Sequence, residues 1–214
     1  MSHPFDRNDE QWALAWLDNN LSVTDAQIGN LRLLLEALTV ENERQNLIAK
    51  GTVPFAWTRH IVDSAQLLTH VPRETSTTWL DMGTGAGFPG LVCAALAPNV
   101  SFTLVEQRPL RTEWLERARD VMRLGNVEIL TQNVSALTDR NFDVISARAF
   151  APLPRLLNLS AAFSTKATAW VLPKGRSATQ ELQELKGWRH FFHVEQSVTD
   201  PQSGIIIGNL LGRT

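Results

Sequence analysis

The sequence predicts an α/β fold in which a mostly parallel sheet of seven strands follows a helical N-terminal segment. From residue 77 onward, short β-rich runs alternate with helical stretches, which is the pattern of βαβ units. A glycine-rich turn follows the first of these runs, and two strand-like runs joined by a turn end the chain. A parallel sheet of this kind is covered by helices on both faces.

Residues 1–75 are the predicted helical N-terminal extension, and residues 76–214 the predicted sheet domain, with the two expected to form one compact unit. A first helix is expected from Phe5 to Asn19. Thr24 begins a second helix, because Gln27 lies three residues further on, a capping-box spacing. Pro54 suits the first turn of a third helix. The apolar positions at helical intervals are Ile28, Leu31, Leu35 and Leu38 in the second helix and Trp57, Ile61, Ala65 and Leu68 in the third.

Seven strands are expected in the sheet domain. They span residues 77–82, 100–106, 126–131, 142–147, 167–172, 188–197 and 204–212. Helices are expected between them at 89–97, 108–124 and 153–163. The turn at 200–204 contains Pro201 and Gly204, so the last two strands are predicted to form an antiparallel hairpin.

Composition limits the function classes that the chain can have. The 214 residues carry a net charge of -2, which argues against nucleic-acid binding through overall positive charge. The single cysteine, Cys93, excludes an intrachain disulfide and is expected to be a buried apolar residue. No run approaches the roughly 20 apolar residues that span a bilayer, and the N-terminus lacks the layout of a signal peptide. A cytoplasmic monomer without membrane contact or metal site is therefore expected.

The glycine-rich turn after the first strand is the strongest local pattern. Gly83, Gly85 and Gly87 are spaced Gly-x-Gly-x-Gly, whereas dinucleotide sites have Gly-x-Gly-x-x-Gly. Asp81 is expected at the mouth of this loop, where a carboxylate repels a pyrophosphate but attracts the ammonium and sulfonium groups of S-adenosylmethionine. The pattern therefore favours S-adenosylmethionine over a nicotinamide dinucleotide. A tight packing turn without a ligand is the alternative.

Further candidate residues follow the later strands. Glu106 ends the second strand, 23 residues after Gly83, where an acidic side chain commonly accepts hydrogen bonds from ribose hydroxyls. Val134 and Ser135 follow the third strand, where an adenine wall would lie. Arg148 ends the fourth strand, and a carboxylate of the cofactor or an RNA phosphate is its expected partner. Lys174 ends the fifth strand, where binding and surface roles both stay open.

A second polar cluster lies upstream of the glycine loop. Arg59, His60 and Asp63 occupy neighbouring faces of the third predicted helix. Either Arg59 and His60 bind the phosphate or base of an RNA while Asp63 orients one of them, or the cluster is an internal ion pair that docks the helix. Spacing alone favours the structural alternative.

Together these motifs resemble the RsmG family, also called GidB, from about residue 41 to about residue 175. Arg59 to Ser64 match the family's Arg-His-x-x-Asp-Ser motif, and Asp81 to Gly90 match its Asp-x-Gly-Thr-Gly-x-Gly-x-Pro-Gly motif at every fixed position. Asn46-Leu47, Ala147-Arg148-Ala149 and Leu172 to Gly175 resemble three shorter steps. These steps differ from the family pattern at Ile48, at Ala147 and by the inserted Pro173.

The resemblance implies a Rossmann-like, class I S-adenosylmethionine-dependent methyltransferase with a helical N-terminal extension. It implies methyl transfer to N7 of guanine 527, in the 530 loop of 16S ribosomal RNA, with the RNA or the small ribosomal subunit as partner. It also implies cofactor contacts at Gly83, Phe88, Val134, Ser135 and Arg148, and makes binding and structural roles of the Arg59 cluster equally plausible. Because guanine N7 carries a free lone pair, catalysis by positioning without a general base is expected.

Positive charge for RNA binding must be local in a chain of this net charge. The predicted helix at 108–124 carries five arginines, and together with Arg148, Arg155, Lys174 and Arg176 they could form a basic rim. A helix of mixed charge is, however, usually only a solvated face. The alternatives are a methyltransferase acting on a small molecule or a protein, a nicotinamide-dependent oxidoreductase and a non-catalytic assembly factor.

Overall fold

The computed structural model of the chain describes residues 6–72, 76–138 and 140–214. It confirms the predicted α/β class, with one central sheet ordered β3-β2-β1-β4-β5-β8-β6, in which β7 also pairs with β8. Strands β1 to β5 are parallel, and β8 runs antiparallel to β5. The strands are β1 (Thr78–Met82), β2 (Ser101–Glu106), β3 (Val127–Thr131), β4 (Val144–Ser146), β5 (Ala169–Gly175), β6 (Trp188–His190), β7 (His193–Gln196) and β8 (Gly204–Arg213).

The order of the strands determines where a ligand can bind. From β1 the chain first adds β2 and β3 on one side and then returns to place β4 on the other side of β1. A crevice forms at the carboxyl ends of the strands where the order reverses in this way. The turns that follow β1 and β4 both open into this crevice.

The predicted strand 188–197 is wrong as a single element, because it is divided into β6 and β7, which pair with successive parts of β8. The interruption lies where β8 passes close to the backbone of Phe191, between β6 and β7. Gly208 has φ +133°, and a Cβ built on it would lie 2.3 Å from the carbonyl oxygen of Phe191. The sheet therefore has eight strands rather than seven. The predicted antiparallel hairpin is confirmed by the pairing of β7 with β8.

Helices cover both faces of the sheet. Neighbouring side chains of β1 enter opposite cores: Trp79 packs with the N-terminal helices, and Leu80 packs with residues of the helix that follows β4. The helices that follow strands are α4 (Gly90–Leu96), α5 (Pro109–Val121), α6 (Leu153–Ser160) and α7 (Ala178–Gln183). The first three confirm predicted helices. Helix α7 is not among the predicted helices, because it buries only Ala178 and so has no apolar periodicity.

Two long helices form most of the N-terminal segment, α1 (Arg7–Leu21) and α2 (Asp25–Gln45). The predicted start of the first helix at Phe5 lies outside the described residues. The predicted capping box of α2 is present, since the backbone N–H groups of Thr24 and Gln27 each donate to the other residue's side chain. The Gln27 amide also donates to the carbonyl oxygen of Leu96 over 3.1 Å, and so links α2 to the end of α4.

The predicted third helix is helical but irregular. It begins as a π-helix at Trp57–Val62, continues as α3 (Asp63–Ala65) and ends as a 3₁₀-helix at Gln66–His70. Its predicted apolar face is confirmed as buried. π-helical turns occur frequently at functional sites. The predicted boundary between extension and sheet domain lies between residues 75 and 76, and residues 73–75 lie outside the described residues.

Candidate active site

A cavity of about 520 Å³ opens at the carboxyl ends of β1, β2 and β3. The backbone N–H of Gly83 donates to the carbonyl oxygen of Val105 over 2.8 Å, which folds the glycine loop back onto β2. Gly83 has φ +65°, and a Cβ on it would lie 2.4 Å from Cδ2 of Phe150. Only glycine therefore fits where the loop meets the turn that follows β4.

The structure corrects the expected position of Asp81. Its carboxylate is fully buried beneath the loop and not exposed at its mouth. One carboxylate oxygen accepts from the backbone N–H of Gly90 at 3.1 Å, and the other accepts from the hydroxyl of Ser146 at 2.7 Å. Burial raises the pKa of this carboxyl group. Asp81 therefore fixes the loop onto β4 and the start of α4, and the expectation that it is exposed at the mouth of the loop is wrong.

Glu106 lines the cavity at the end of β2. Its Oε2 accepts from the backbone N–H of Gly85 at 3.2 Å, and its Oε1 accepts from the backbone N–H of Arg108 at 3.0 Å. Two bonds leave carboxylate lone pairs available for other donors, because an ionised carboxylate can accept about four hydrogen bonds. Glu106 is therefore oriented by the chain and still able to accept from a ligand.

The wall opposite the glycine loop follows β3. Val134 and Ser135 lie in a 3₁₀-helix and line the cavity, as expected. The side chain of Asn133 caps this helix, because its Oδ1 accepts from both the backbone N–H and the hydroxyl of Ser135. Gly87 differs from the other two glycines, since a Cβ on it would meet Leu91 at 2.5 Å and not the cavity. Its role is to let α4 pack closely.

A second cavity of about 690 Å³ lies beside the first. The residues from Arg148 to Ala151, in the turn after β4, line both cavities and form the wall between them. The Arg148 guanidinium lies 5.2 Å from the ring centroid of Phe88, and the imidazole of His60 stacks on that ring at 5.0 Å. The Arg-His-x-x-Asp-Ser segment and the glycine loop therefore meet at this wall.

Three ion pairs line the second cavity, so its cations are matched by carboxylates. Arg148 pairs with Asp63 at 3.3 Å, Lys174 with Glu181 at 2.9 Å and Arg59 with Asp200 at 3.8 Å. Burial raises the pKa of Glu181, but hydrogen bonds from Ser177, Lys174 and Leu153 outweigh it and hold that pKa below its ordinary value. The cavity is therefore polar without a large excess of either charge.

His60 adds a neutral ring to this cavity. The hydroxyl of Thr52 donates to the carbonyl oxygen of Ala49 at 2.7 Å, so His60 Nε2, 3.0 Å from the same hydroxyl, must be the donor of their hydrogen bond. Burial, with the nearby charges of Arg148 and Arg59, lowers the pKa of His60 to about 3. Nδ1 therefore carries no proton, and this atom is buried without a hydrogen-bond partner in the described part of the chain.

Some residues of the site were not identified from the sequence. Phe150 determines which residue fits at position 83, yet it belongs to no pattern that the sequence displays. Thr199 and Asp200 reach Asp63 and Arg59 from the hairpin turn, 136 residues beyond Asp63 in the case of Thr199. The signal available for them was polarity in a turn, which is common on any surface. Within the described ranges, no three His, Cys, Asp or Glu side chains gather as metal ligands, and no helix is long and apolar enough to cross a membrane.

Solved structures confirm the fold class. A SAM dependent methyltransferase from Aquifex aeolicus superposes with a TM-score of 0.56 at 14% identity, covering 74% of this chain and 93% of that one. The ribosomal protein L11 methylase from Lactobacillus delbrueckii superposes with a TM-score of 0.51 at 15% identity, covering 69% and 76%. At these identities the likeness concerns the fold alone.

Sequence comparison extends over most of the chain. The chain is 57% identical over 202 residues to ribosomal RNA small subunit methyltransferase G of Novosphingobium aromaticivorans, covering 93% of this chain and 87% of the relative. It is 52% identical to the protein of the same name from Erythrobacter litoralis, covering 88% and 91%. The model of the GidB family, described as rRNA small subunit methyltransferase G, matches residues 27–202. This range includes the glycine loop of the first cavity and the Arg-His-x-x-Asp-Ser segment of the second. The chain therefore belongs to the GidB family.

Proposed function

We propose that the chain transfers a methyl group from S-adenosylmethionine to N7 of a guanine in 16S ribosomal RNA, guanine 527 by the family resemblance. The observation that carries this proposal is the pair of cavities with one common wall at Arg148–Ala151. A donor in the first cavity and an acceptor base in the second would lie side by side at these shared residues, so that N7 could reach the methyl group along the edge of the wall. Because the proposed partner is ribosomal, a cytoplasmic location is part of the proposal. We also propose that the protein is a monomer and that residues 1–75 form its helical extension.

The first cavity fits S-adenosylmethionine in size and chemistry. Its volume of about 520 Å³ lies in the range of small-molecule sites. Glu106 offers a carboxylate for ribose hydroxyls, Val134 offers an apolar wall for adenine, and Arg148 offers a guanidinium for the amino-acid carboxylate. When bound, S-adenosylmethionine supplies a methyl group on positively charged sulfur. We therefore assign Gly83, Gly85, Phe88, Glu106, Val134, Ser135 and Arg148 to cofactor binding, while Asp81 and Gly87 shape the loop.

The second cavity suits a nucleobase better than a phosphate. Its cations are already paired with carboxylates and His60 is neutral, so a phosphate would bring additional negative charge close to those carboxylates. A neutral guanine has no such cost, and it becomes cationic when N7 is methylated. Carboxylates such as Asp63 and Glu181 then stabilise the product charge. Because N7 needs no deprotonation, the residues of this cavity hold the base in line and none has to act as a general base.

Analysis of modified bases in ribosomal RNA tests this proposal. In RNA from cells that lack the gene, we expect one N7-methylguanine of the small subunit to be missing, and the purified protein should restore it on isolated subunits with S-adenosylmethionine. An unchanged modification map, together with methylation of small acceptors or proteins, would assign the two cavities to another substrate.

Unpaired arginines at the rim of the first cavity support contact with an RNA backbone. Arg108 and Arg155 are exposed, line the rim and have no carboxylate partner within the described ranges. Further along α5, by contrast, Arg117 pairs with Glu41 and Arg119 pairs with Asp120. The basic rim suggested by the sequence is therefore restricted to the residues that remain unpaired.

Replacement of Arg155 or Arg108 by glutamine is expected to lower kcat/KM for subunit methylation and to make kcat/KM less dependent on salt concentration. Each lost phosphate contact should reduce the slope of log kcat/KM against log salt by roughly 0.7 to 0.9. Calorimetry should show S-adenosylmethionine affinity within about twofold of the wild type. Arg119→Gln on α5 is the matched control and should leave the slope unchanged. An unaltered slope in the rim variants would place the RNA backbone elsewhere.

A further inference from the structure

The three carboxylates of the second cavity differ in which parts of the chain hold them and in how the donors are divided between their two oxygens. Glu181 accepts from the backbone N–H of Leu153, the hydroxyl of Ser177 and the ammonium of Lys174, all within 2.9 Å. Both oxygens of Asp200 accept hydrogen bonds from its own turn, at 2.9 and 3.0 Å. Glu181 is thus held by three short hydrogen bonds, and Asp200 is held within its own turn.

Asp63 also accepts from three donors, but two of them share one oxygen, which leaves the other oxygen with a single partner. Its Oδ1 accepts from the Thr199 hydroxyl at 2.8 Å and from the Gln66 amide at 3.1 Å, which fixes the orientation of the carboxylate. Its Oδ2 has a single protein contact among the described residues, with Nη1 of Arg148 at 3.3 Å. An oxygen of this kind accepts two hydrogen bonds, so one lone pair of Oδ2 remains available. The side chain is 22% exposed and lines the cavity.

The position of Asp63 suits recognition of one edge of a purine. Its partner Arg148 belongs to the wall between the cavities, so Asp63 lies on the second-cavity side of that wall. Guanine presents two adjacent donors, N1–H and the 2-amino group, on the edge away from N7. Adenine presents an unprotonated N1 at the corresponding position, and a carboxylate cannot donate to it.

We propose that Asp63 is the specificity-determining residue for guanine, with Oδ2 accepting a hydrogen bond from the N1–H and 2-amino edge of the target base. This inference rests on the proposed function. Because Oδ1 is held by Thr199 and Gln66, the acceptor is oriented before the base arrives, which limits the entropy lost on binding. A site built to accept from a substrate N–H rejects an analogue that lacks the donor, because a buried acceptor is left unpaired.

Small subunits reconstituted with guanine or adenine at the target position test the proposal through discrimination. For Asp63→Asn we expect kcat/KM on guanine to fall by about 100-fold, since a charge-assisted hydrogen bond is lost. We also expect the preference for guanine over adenine to narrow at least tenfold, because an amide can donate to adenine N1. Asp200→Asn, in the same cavity, should keep the wild-type preference. Cofactor affinity and thermal unfolding are measured in parallel to detect a merely structural effect.

A second measurement uses the unaltered protein and so does not depend on how the variant folds. Inosine at the target position keeps N1–H, O6 and N7 but lacks the 2-amino group, and we expect kcat/KM to fall about tenfold. Full activity on inosine combined with wild-type discrimination in Asp63→Asn would overturn the role of Asp63 and leave the proposed function intact. No methylation of guanine subunits by the wild type would overturn the proposed function, and this inference with it.

Discussion

Replacement of Gly83 by alanine is expected to lower the affinity for S-adenosylmethionine by about 100-fold. The φ of +65° places position 83 in the left-handed region, which costs a residue with a Cβ roughly 1 to 2 kcal/mol. The added Cβ would also lie 2.4 Å from Cδ2 of Phe150, so the ring has to leave its place in the cavity wall at a further cost of about 1 kcal/mol. The free variant is expected to relax out of this conformation, so binding of S-adenosylmethionine must restore it, and the two costs together then correspond to the expected loss of affinity.

Titration calorimetry measures this effect directly, and two further variants identify its cause. Gly125→Ala is the control, because a Cβ there has open space and the residue lies outside both cavities; its affinity should match the wild type. Phe150→Ala in the Gly83→Ala background should recover about fivefold, since it removes the clash but not the backbone strain. A dissociation constant within threefold of the wild type for Gly83→Ala would mean that the first cavity is not the cofactor site.

The sheet could be predicted from the sequence because each βα unit has a local pattern of its own. Alternate residues of the runs that contain Trp79 and Phe102 fill opposite faces of the sheet, and the alternation with helices follows because both faces are covered. The division of the predicted strand 188–197 could not be predicted, because it depends on the close approach of Gly208 to Phe191. That contact joins residues of two strands, and neither segment alone indicates it.

The candidate site shows the same difference between local and distant information. Glu106 was placed correctly at the cavity because a strand end determines where its last residue lies. Asp81 was placed at the right strand end but on the wrong side of the loop, since the direction of its side chain is set by Gly90 and Ser146. The partners of Asp63 come from a hairpin turn far along the chain, and only the folded sheet brings them together.

Replacement of His60 by phenylalanine is expected to remove a large part of the protein's sensitivity to acid. The folded-state pKa of His60 is about 3, because of burial and the charges of Arg148 and Arg59, whereas an unfolded histidine titrates near 6.5. Between these values the unfolded chain binds one more proton than the folded chain. The contribution of His60 to the stability of the wild type should therefore fall by about 1.4 kcal/mol for each pH unit between about 6.5 and about 3.

Urea denaturation of the wild type and of His60→Phe at several pH values between 7 and 4.5 measures this difference. At pH 7 the variant should be less stable by about 1 kcal/mol, because the hydrogen bond to Thr52 is lost while the stack on Phe88 is kept. As the pH falls, this gap should close and then reverse. Subtracting the two curves cancels the titration of all the other groups, so the remaining slope belongs to His60.

A parallel pair of curves would show that His60 takes up a proton in the folded state, which its surroundings oppose. Arg148 and Arg59 are its nearest charges, and both repel a cation. The same repulsion keeps the second cavity free of an additional positive charge at neutral pH, when a guanine that becomes cationic must be accommodated there. The neutral imidazole and the paired arginines therefore both keep additional positive charge out of the second cavity. Loss of acid sensitivity in His60→Phe would show that His60 stays neutral in the folded protein.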